Sequence, residues 1–167
     1  DPASTAAQDS AATYTGVLVP SGLTSSNYAI TFVNGNYTIV PAGELLVKVQ
    51  NVSTTYGDTP AYTVTSAAFM DNNSTVTNLL STAGRVSVSN AQVTVLDSGS
   101  HVDAQFNLGP DNPNNAVITS TSGNLKVGSY SLGATNVSVS SLDFSNAIHV
   151  IGSYSVAPKA LTLNASG

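Results

Sequence analysis

The sequence has no cysteine, no tryptophan, a single methionine and very little charge. Without cysteine there can be no disulfide, no thiolate metal site and no thiol nucleophile. Four Lys and Arg against nine Asp and Glu make 8% of the chain charged, where roughly 25% is usual for a globular protein. Four scattered cations in a chain of net charge −5 cannot neutralise a run of phosphates, which excludes a nucleic-acid groove and a polybasic membrane patch. No apolar run approaches the length of a spanning helix, and no basic stretch followed by an apolar one opens the sequence. The segment is therefore expected neither to insert into a membrane nor to target itself. What is plentiful is uncharged polarity: 24 Ser, 19 Thr and 16 Asn in 167 residues. The surface must be built from hydroxyls and amides.

That length suits one domain or little more, burying roughly 68–70% of its unfolded surface. Ala is the only abundant strong helix former, while the Val, Ile, Thr and Tyr of the apolar segments favour strands. Alternating runs recur at 28–33, 36–40, 45–49, 85–89, 92–96 and 136–140, most of them bounded by Gly, Pro, Asn or Asp. That rhythm predicts an all-β sandwich. Residues 74–80 are the exception, since Val76, Leu79 and Leu80 after Ser74 fit one or two helical turns. The pair Asn34-Gly35 suits a two-residue hairpin turn. It would set Phe32 opposite Tyr37 and Ile30 opposite Ile39 on an apolar face, with Thr31 and Thr38 behind them.

A second copy of this segment lies near the end. Gly35-Asn36-Tyr37-Thr38-Ile39-Val40-Pro41 aligns with Gly152-Ser153-Tyr154-Ser155-Val156-Ala157-Pro158 at an offset of 117, and Tyr14-Thr15 aligns with Tyr130-Ser131 at 116. On this repeat, residues 1–42 are the C-terminal part of one unit, 43–158 a whole unit, and 159–167 the first strand of the next. A three-residue loop at Ile151-Gly152-Ser153 would pair Val150 with Tyr154 and point His149 outward beside Ser155.

Read through the repeat, three pieces stand in order: Tyr56-Gly57-Asp58 near the start of the 43–158 unit, Gly128-Ser129-Tyr130 past its middle, and, from the leading fragment, an Asn-Tyr hairpin closing on Pro-Ala at 27–42. Their arrangement resembles the MBG and YDG-type repeats of large bacterial surface proteins, including filamentous-haemagglutinin-like adhesins. The second closing copy departs from the pattern at Asn146-Ala147 and at 157–160. The resemblance implies tandem, immunoglobulin-like antiparallel β-sandwich modules at the cell surface or secreted, serving as stalk material without catalytic residues. In Tyr56-Gly57-Asp58 itself, Gly supplies a turn conformation, Asp bonds nearby backbone, and the Tyr ring packs while its hydroxyl finds a partner.

Chemistry is thinly supplied. Nucleophilic catalysis needs a base near a hydroxyl; only His101 and His149 are present, and no G-x-S-x-G elbow occurs. His101 stands between Asp97 and Asp103, beside a turn at 98–100. The sole glutamate, Glu44, has no facing carboxylate for glycoside hydrolysis. Asp71 and Asn73 in one amide-rich loop, and Asp111 and Asn112 in another, are weak calcium ligands by type; Val76 replaces the glycine that an EF-hand loop requires. Lys48 with Glu44 is the only approach to an isopeptide crosslink. Tyr62 or Tyr130 could stack on a sugar ring, and edge strands could pair with neighbouring units. The expectation is a spacer with no enzymatic activity and no cofactor, whose partners are adjoining repeats. Its structural residues are Ile30, Phe32, Asn34, Gly35, Tyr37, Ile39, Pro41, Tyr56, Gly57, Asp58, Tyr154 and Pro158, and the alternative is a carbohydrate-binding module.

Overall fold

Alternating apolar and hydroxyl residues become strands throughout the residues that the structure, a computed structural model, describes: 12–22, 35–71, 73, 75–97, 99–112, 114 and 116–162. Among these residues there is no α-helix, and the chain divides into two units at Pro41 and Ala42. In the first unit β1 (Ala12–Leu18) pairs antiparallel with β2 (Gly35–Ile39), setting Thr13 opposite Thr38 and Tyr14 opposite Tyr37. Gly35 opens β2, and Pro41 is exposed just beyond it. The expected partner strand, with Ile30, Phe32 and Asn34, lies outside the described residues.

The second unit contains β3 (Leu45–Val49), β4 (Val52–Thr55), β5 (Val64–Met70), β6 (Val76–Asn78), β7 (Val86–Ser89), β8 (Gln92–Val95), β9 (Ala104–Pro110), β10 (Gly128–Val139), β11 (Ile148–Ile151) and β12 (Ser153–Ala157). They form two sheets, ordered β4-β12-β10-β9-β8-β7 and β11-β3-β5-β6. Both sheets turn their apolar faces onto one buried cluster. Leu45, Val47 and Val49 come from the smaller sheet, and Val93, Val95, Phe106, Leu108 and Leu132 from the larger. Period-two burial is clearest in β3, where Leu45, Val47 and Val49 are buried while Lys48 is exposed. Phe144, in the loop after β10, closes the cluster against Phe69 with ring centroids 5.1 Å apart.

Two strands change sheets side by side. The chain runs from β3 through Gln50 and Asn51 into β4, and from β11 through Gly152 into β12. β11 is parallel to β3, from Ile148 opposite Leu45 to Ile151 opposite Lys48; β12 is parallel to β4, from Tyr154 opposite Val52 to Ala157 opposite Thr55. The leading strand carries one more residue at the crossing than the closing strand, a bulge whose Asn51 Oδ1 accepts the Ser153 N–H at 3.1 Å. Opposite it, any side chain would be crowded. A Cβ on Gly152 would lie 3.0 Å from both Leu132 Cδ1 and the Val49 carbonyl oxygen.

This arrangement corrects the hairpin expected at 148–156. Val150 pairs with Val47 in one sheet, whereas Tyr154 lies between Tyr130 and Val52 in the other. His149 points outward, as the alternation requires, but it meets Glu44. Ser155 is bonded to Ser53. The helical turns expected at 74–80 are also corrected. Residues 76–78 form an edge strand with Val76 67% exposed. A 3₁₀ turn, Leu79–Ser81, starts instead at Asn78, whose Oδ1 accepts the Leu80 N–H at 3.1 Å.

The repeated segments share a pairing register. Ala12, Thr13 and Tyr14 oppose Ile39, Thr38 and Tyr37. Gly128, Ser129 and Tyr130 oppose Val156, Ser155 and Tyr154 in the same sense. Residues 159–162 carry no strand, and the rest of the final piece lies outside the described residues.

Candidate functional site

Beyond the end of β4 the chain turns at Tyr56-Gly57, with Gly57 at φ +88° and the Asp58 N–H donating to the Thr55 carbonyl at 3.0 Å. A left-handed conformation of this kind is cheap only for glycine. The Tyr56 hydroxyl shares hydrogen bonds of 2.8 Å with both Ser120 Oγ and Ser122 Oγ. These hydroxyls, Ser120 first, stabilise the phenolate and hold the Tyr56 phenol below the ordinary tyrosine range. The turn thereby ties down the loop around the Thr119–Leu125 bridge. The Asp58 carboxylate lies 3.6 Å from Lys159 Nζ, just past the exposed Pro158. Both groups are well exposed, so the pair contributes little.

Between this turn and loop opens a cleft of about 750 Å³, the larger of two depressions in this unit that bear on the expected residues. Tyr62, Tyr154, Leu108 and Val88 form its apolar side, and Asp58, Asn90, Thr119 and Asn124 bring polar groups to it. Tyr62 stands edge-on to Tyr154, with ring centroids 6.4 Å apart and planes at 81°. Burial, and then the neighbouring Tyr154, push the Tyr62 phenol above its ordinary value. The aromatic and amide lining resembles the chemistry that grips a neutral polyol. Tyr62 and Tyr130 are half-buried against the core. Tyr130 donates its hydroxyl hydrogen to the Lys126 carbonyl at 2.8 Å.

Asp97, His101 and Asp103 do come together, lining a second depression of about 500 Å³ with Ser140 and Asp143. Asp103 is 7% exposed, and its carboxylate accepts the Asp97 N–H at 2.8 Å. Ser140 Oγ donates to the Val102 carbonyl at 2.9 Å, and Ser141 Oγ donates to the Asp97 carboxylate. Both hydroxyl hydrogens are therefore directed to oxygen acceptors, and neither is offered to an imidazole as a triad requires. Among the described residues no group of three His, Asp or Glu side chains could hold a metal ion.

The two calcium candidates serve as turn residues. Asp71 Oδ1 accepts the N–H groups of Asn73 and Thr75 at 2.9 and 2.8 Å. Asn112 bonds both backbone groups of Ala116 at 2.9 Å. The Asp111 N–H donates to the Ser131 carbonyl at 2.7 Å. The Asp71 and Asn112 bonds are local side-chain-to-backbone closures that such residues make without any ion. Lys48 is exposed and Glu44 faces His149, so the buried lysine that an isopeptide crosslink requires is not formed at this position.

Sequence reasoning passed over Asn90, Leu108, Thr119 and Asn124. The turn signal of Ser120-Thr121-Ser122-Gly123-Asn124 was available, but nothing local places that loop against Tyr56. Among the described residues no helix is long and apolar enough to cross a membrane. No family model, curated protein or solved structure matches the chain.

Proposed function

We propose that the chain is spacer material from a repetitive bacterial surface or secreted adhesin of the MBG and YDG-repeat kind, with immunoglobulin-like sandwich units in tandem. The observation that carries this reading is the shared register of the repeated segments, Tyr14 opposite Tyr37 and Tyr130 opposite Tyr154. Two stretches more than a hundred residues apart follow one pairing rule. A second support is polarity: the first and last strands of the 43–158 unit are parallel, so the chain comes in at one pole and leaves at the opposite one. Units joined in that way add length. In this reading the neighbouring repeats are the partners, edge strands offer a route to self-association, and no residue is catalytic.

The test duplicates residues 43–158 in frame and measures the maximum dimension by small-angle X-ray scattering. An increase of one unit length is expected; a folded protein whose dimension does not grow overturns the reading.

The cleft beside Tyr62 favours a second reading, a carbohydrate-binding module, because it combines aromatic faces with amides and almost no charge. A glycan array on the full chain separates the two. The spacer shows no saturable binding. Binding that disappears in Tyr62→Ala and Asn124→Ala would make the cleft a sugar site.

A further inference from the structure

In the second unit the closing strand is joined to the leading strand along its whole length. At the first pole the Leu45 N–H donates to the Ala147 carbonyl at 3.2 Å, and His149 Nε2 meets the Glu44 carboxylate. At the crossing Asn51 accepts from Ser153. Beyond it Ser53 and Ser155 share a hydrogen bond, as do Thr54 Oγ1 and the Tyr154 hydroxyl at 3.0 Å. At the far pole the Tyr56 N–H donates to the Ala157 carbonyl at 2.9 Å. Backbone ladders of four residue pairs each run between these points.

We infer that the parallel pairs β3–β11 and β4–β12 act as a shear clamp that lets this unit bear tension applied along the chain. Pulling on the two ends of 45–157 draws the leading strand toward one pole and the closing strand toward the other. Because the strands are parallel, that force acts along them and across their hydrogen bonds. Every pair is loaded at once, and the strands must slide past one another before any can separate. The crossing adds a second obstacle: the Gly152 carbonyl accepts the N–H of the buried Leu132 at 3.0 Å, and the space beside Gly152 is so tight that a Cβ there would press on Leu132 and the Val49 carbonyl oxygen, so the closing strand cannot slide without disturbing the core. An antiparallel hairpin pulled at its adjacent ends would instead open one pair at a time. The inference rests on the spacer reading for the source of the load, while the mechanics follow from the pairing.

Single-molecule force spectroscopy on the full chain tests it. The sequence has no cysteine, so introduced thiols are unique handles. Held at its two termini, the protein is expected to give a high force peak that releases the whole 45–157 segment, about 400 Å of extended chain. Held at the N-terminus and at Asn146→Cys, tension enters β3 and β11 at the same pole and peels them apart, and the peak should fall severalfold. Asn51→Ala combined with Ser155→Ala leaves the buried apolar side chains in place and should lower the first peak but not the second. Equal forces in the two geometries, or a double variant that leaves the terminal-pull peak unchanged, would overturn the clamp. A lost clamp with intact length growth on duplication leaves the spacer standing; a strong clamp in a protein that binds sugar saturably removes the spacer reading alone.

Discussion

The strands β7, β8 and β9 and the flank formed by β3–β4 against β11–β12 are built on opposite principles. In the first region each strand pairs with its successor, and Asn90-Ala91 alone joins β7 to β8. In the second, bonded residues are far apart in sequence, 105 positions for Glu44 and His149 and 102 for Asn51 and Ser153. One region can form from local contacts; the other must wait until the rest of the unit has brought its halves together. The difference implies that a disturbance in the first should be felt globally through the core, and one in the second as a loosened edge.

The largest effect is expected from Phe106→Ala. Phe106 is 1% exposed at the centre of the shared cluster, and its loss should cost about 3–5 kcal/mol, measured by chemical denaturation, with protection from hydrogen exchange falling in both regions together. Gly152→Val comes next. Its side chain must displace Leu132 or the Val49 carbonyl from 3.0 Å contacts, at about 1–3 kcal/mol. Here exchange should accelerate first in β3, β4, β11 and β12 while β7–β9 stay protected; uniform loss would erase the distinction between the regions.

A smaller change should have the opposite sign. Asn90 and Ala91 sit at φ 47° and 69°, the left-handed pair of a tight hairpin turn, where alanine is strained and glycine is not. Ala91→Gly is expected to stabilise by about 0.5–1 kcal/mol once the added freedom of the unfolded chain is set against the relief, read as a raised denaturation midpoint.

The smallest effect is spectroscopic. Tyr56 ionises below the ordinary tyrosine value of 10.0, through its serine hydrogen bonds. Its contribution to stability is therefore present above that value and is lost as pH falls through the lowered one. Tyr62 is shifted the other way by burial; its contribution is full below the ordinary value and is lost as pH rises through the raised one. In an absorbance titration at the tyrosinate band, Tyr56→Phe should remove amplitude on the acid side of the curve and Tyr62→Phe on the alkaline side. Loss from the same side in both would refute the assigned environments.

The same contrast decides what could be read in advance. β3 matches the expected run residue for residue, and β7 and β8 differ from theirs only at the ends, because period-two alternation and short turns are written locally. β9 alternates too, through Ala104, Phe106 and Leu108, but the Gly and Pro at its end dilute the signal. The crossing at Gly152 was misread because a glycine between two alternating runs suits a hairpin as well as a change of sheet. Only partners a hundred residues earlier, and the space taken by Leu132, distinguish the two. The cleft was invisible for the same reason, since its walls come from five separate stretches of sequence. In Tyr56-Gly57-Asp58 the glycine's conformation was legible, the tyrosine's serine partners were not, and the carboxylate turns toward Lys159.

The parallel flank also sets an order of events for a chain that reaches its folding environment with its first residues leading. β3 and β4 arrive early, yet their neighbours β11 and β12 are the last strands of the unit to arrive. Closing a loop of this span is slow compared with forming a local hairpin. The seam from Leu45 to Thr55 therefore cannot be completed until Ala157 has been delivered.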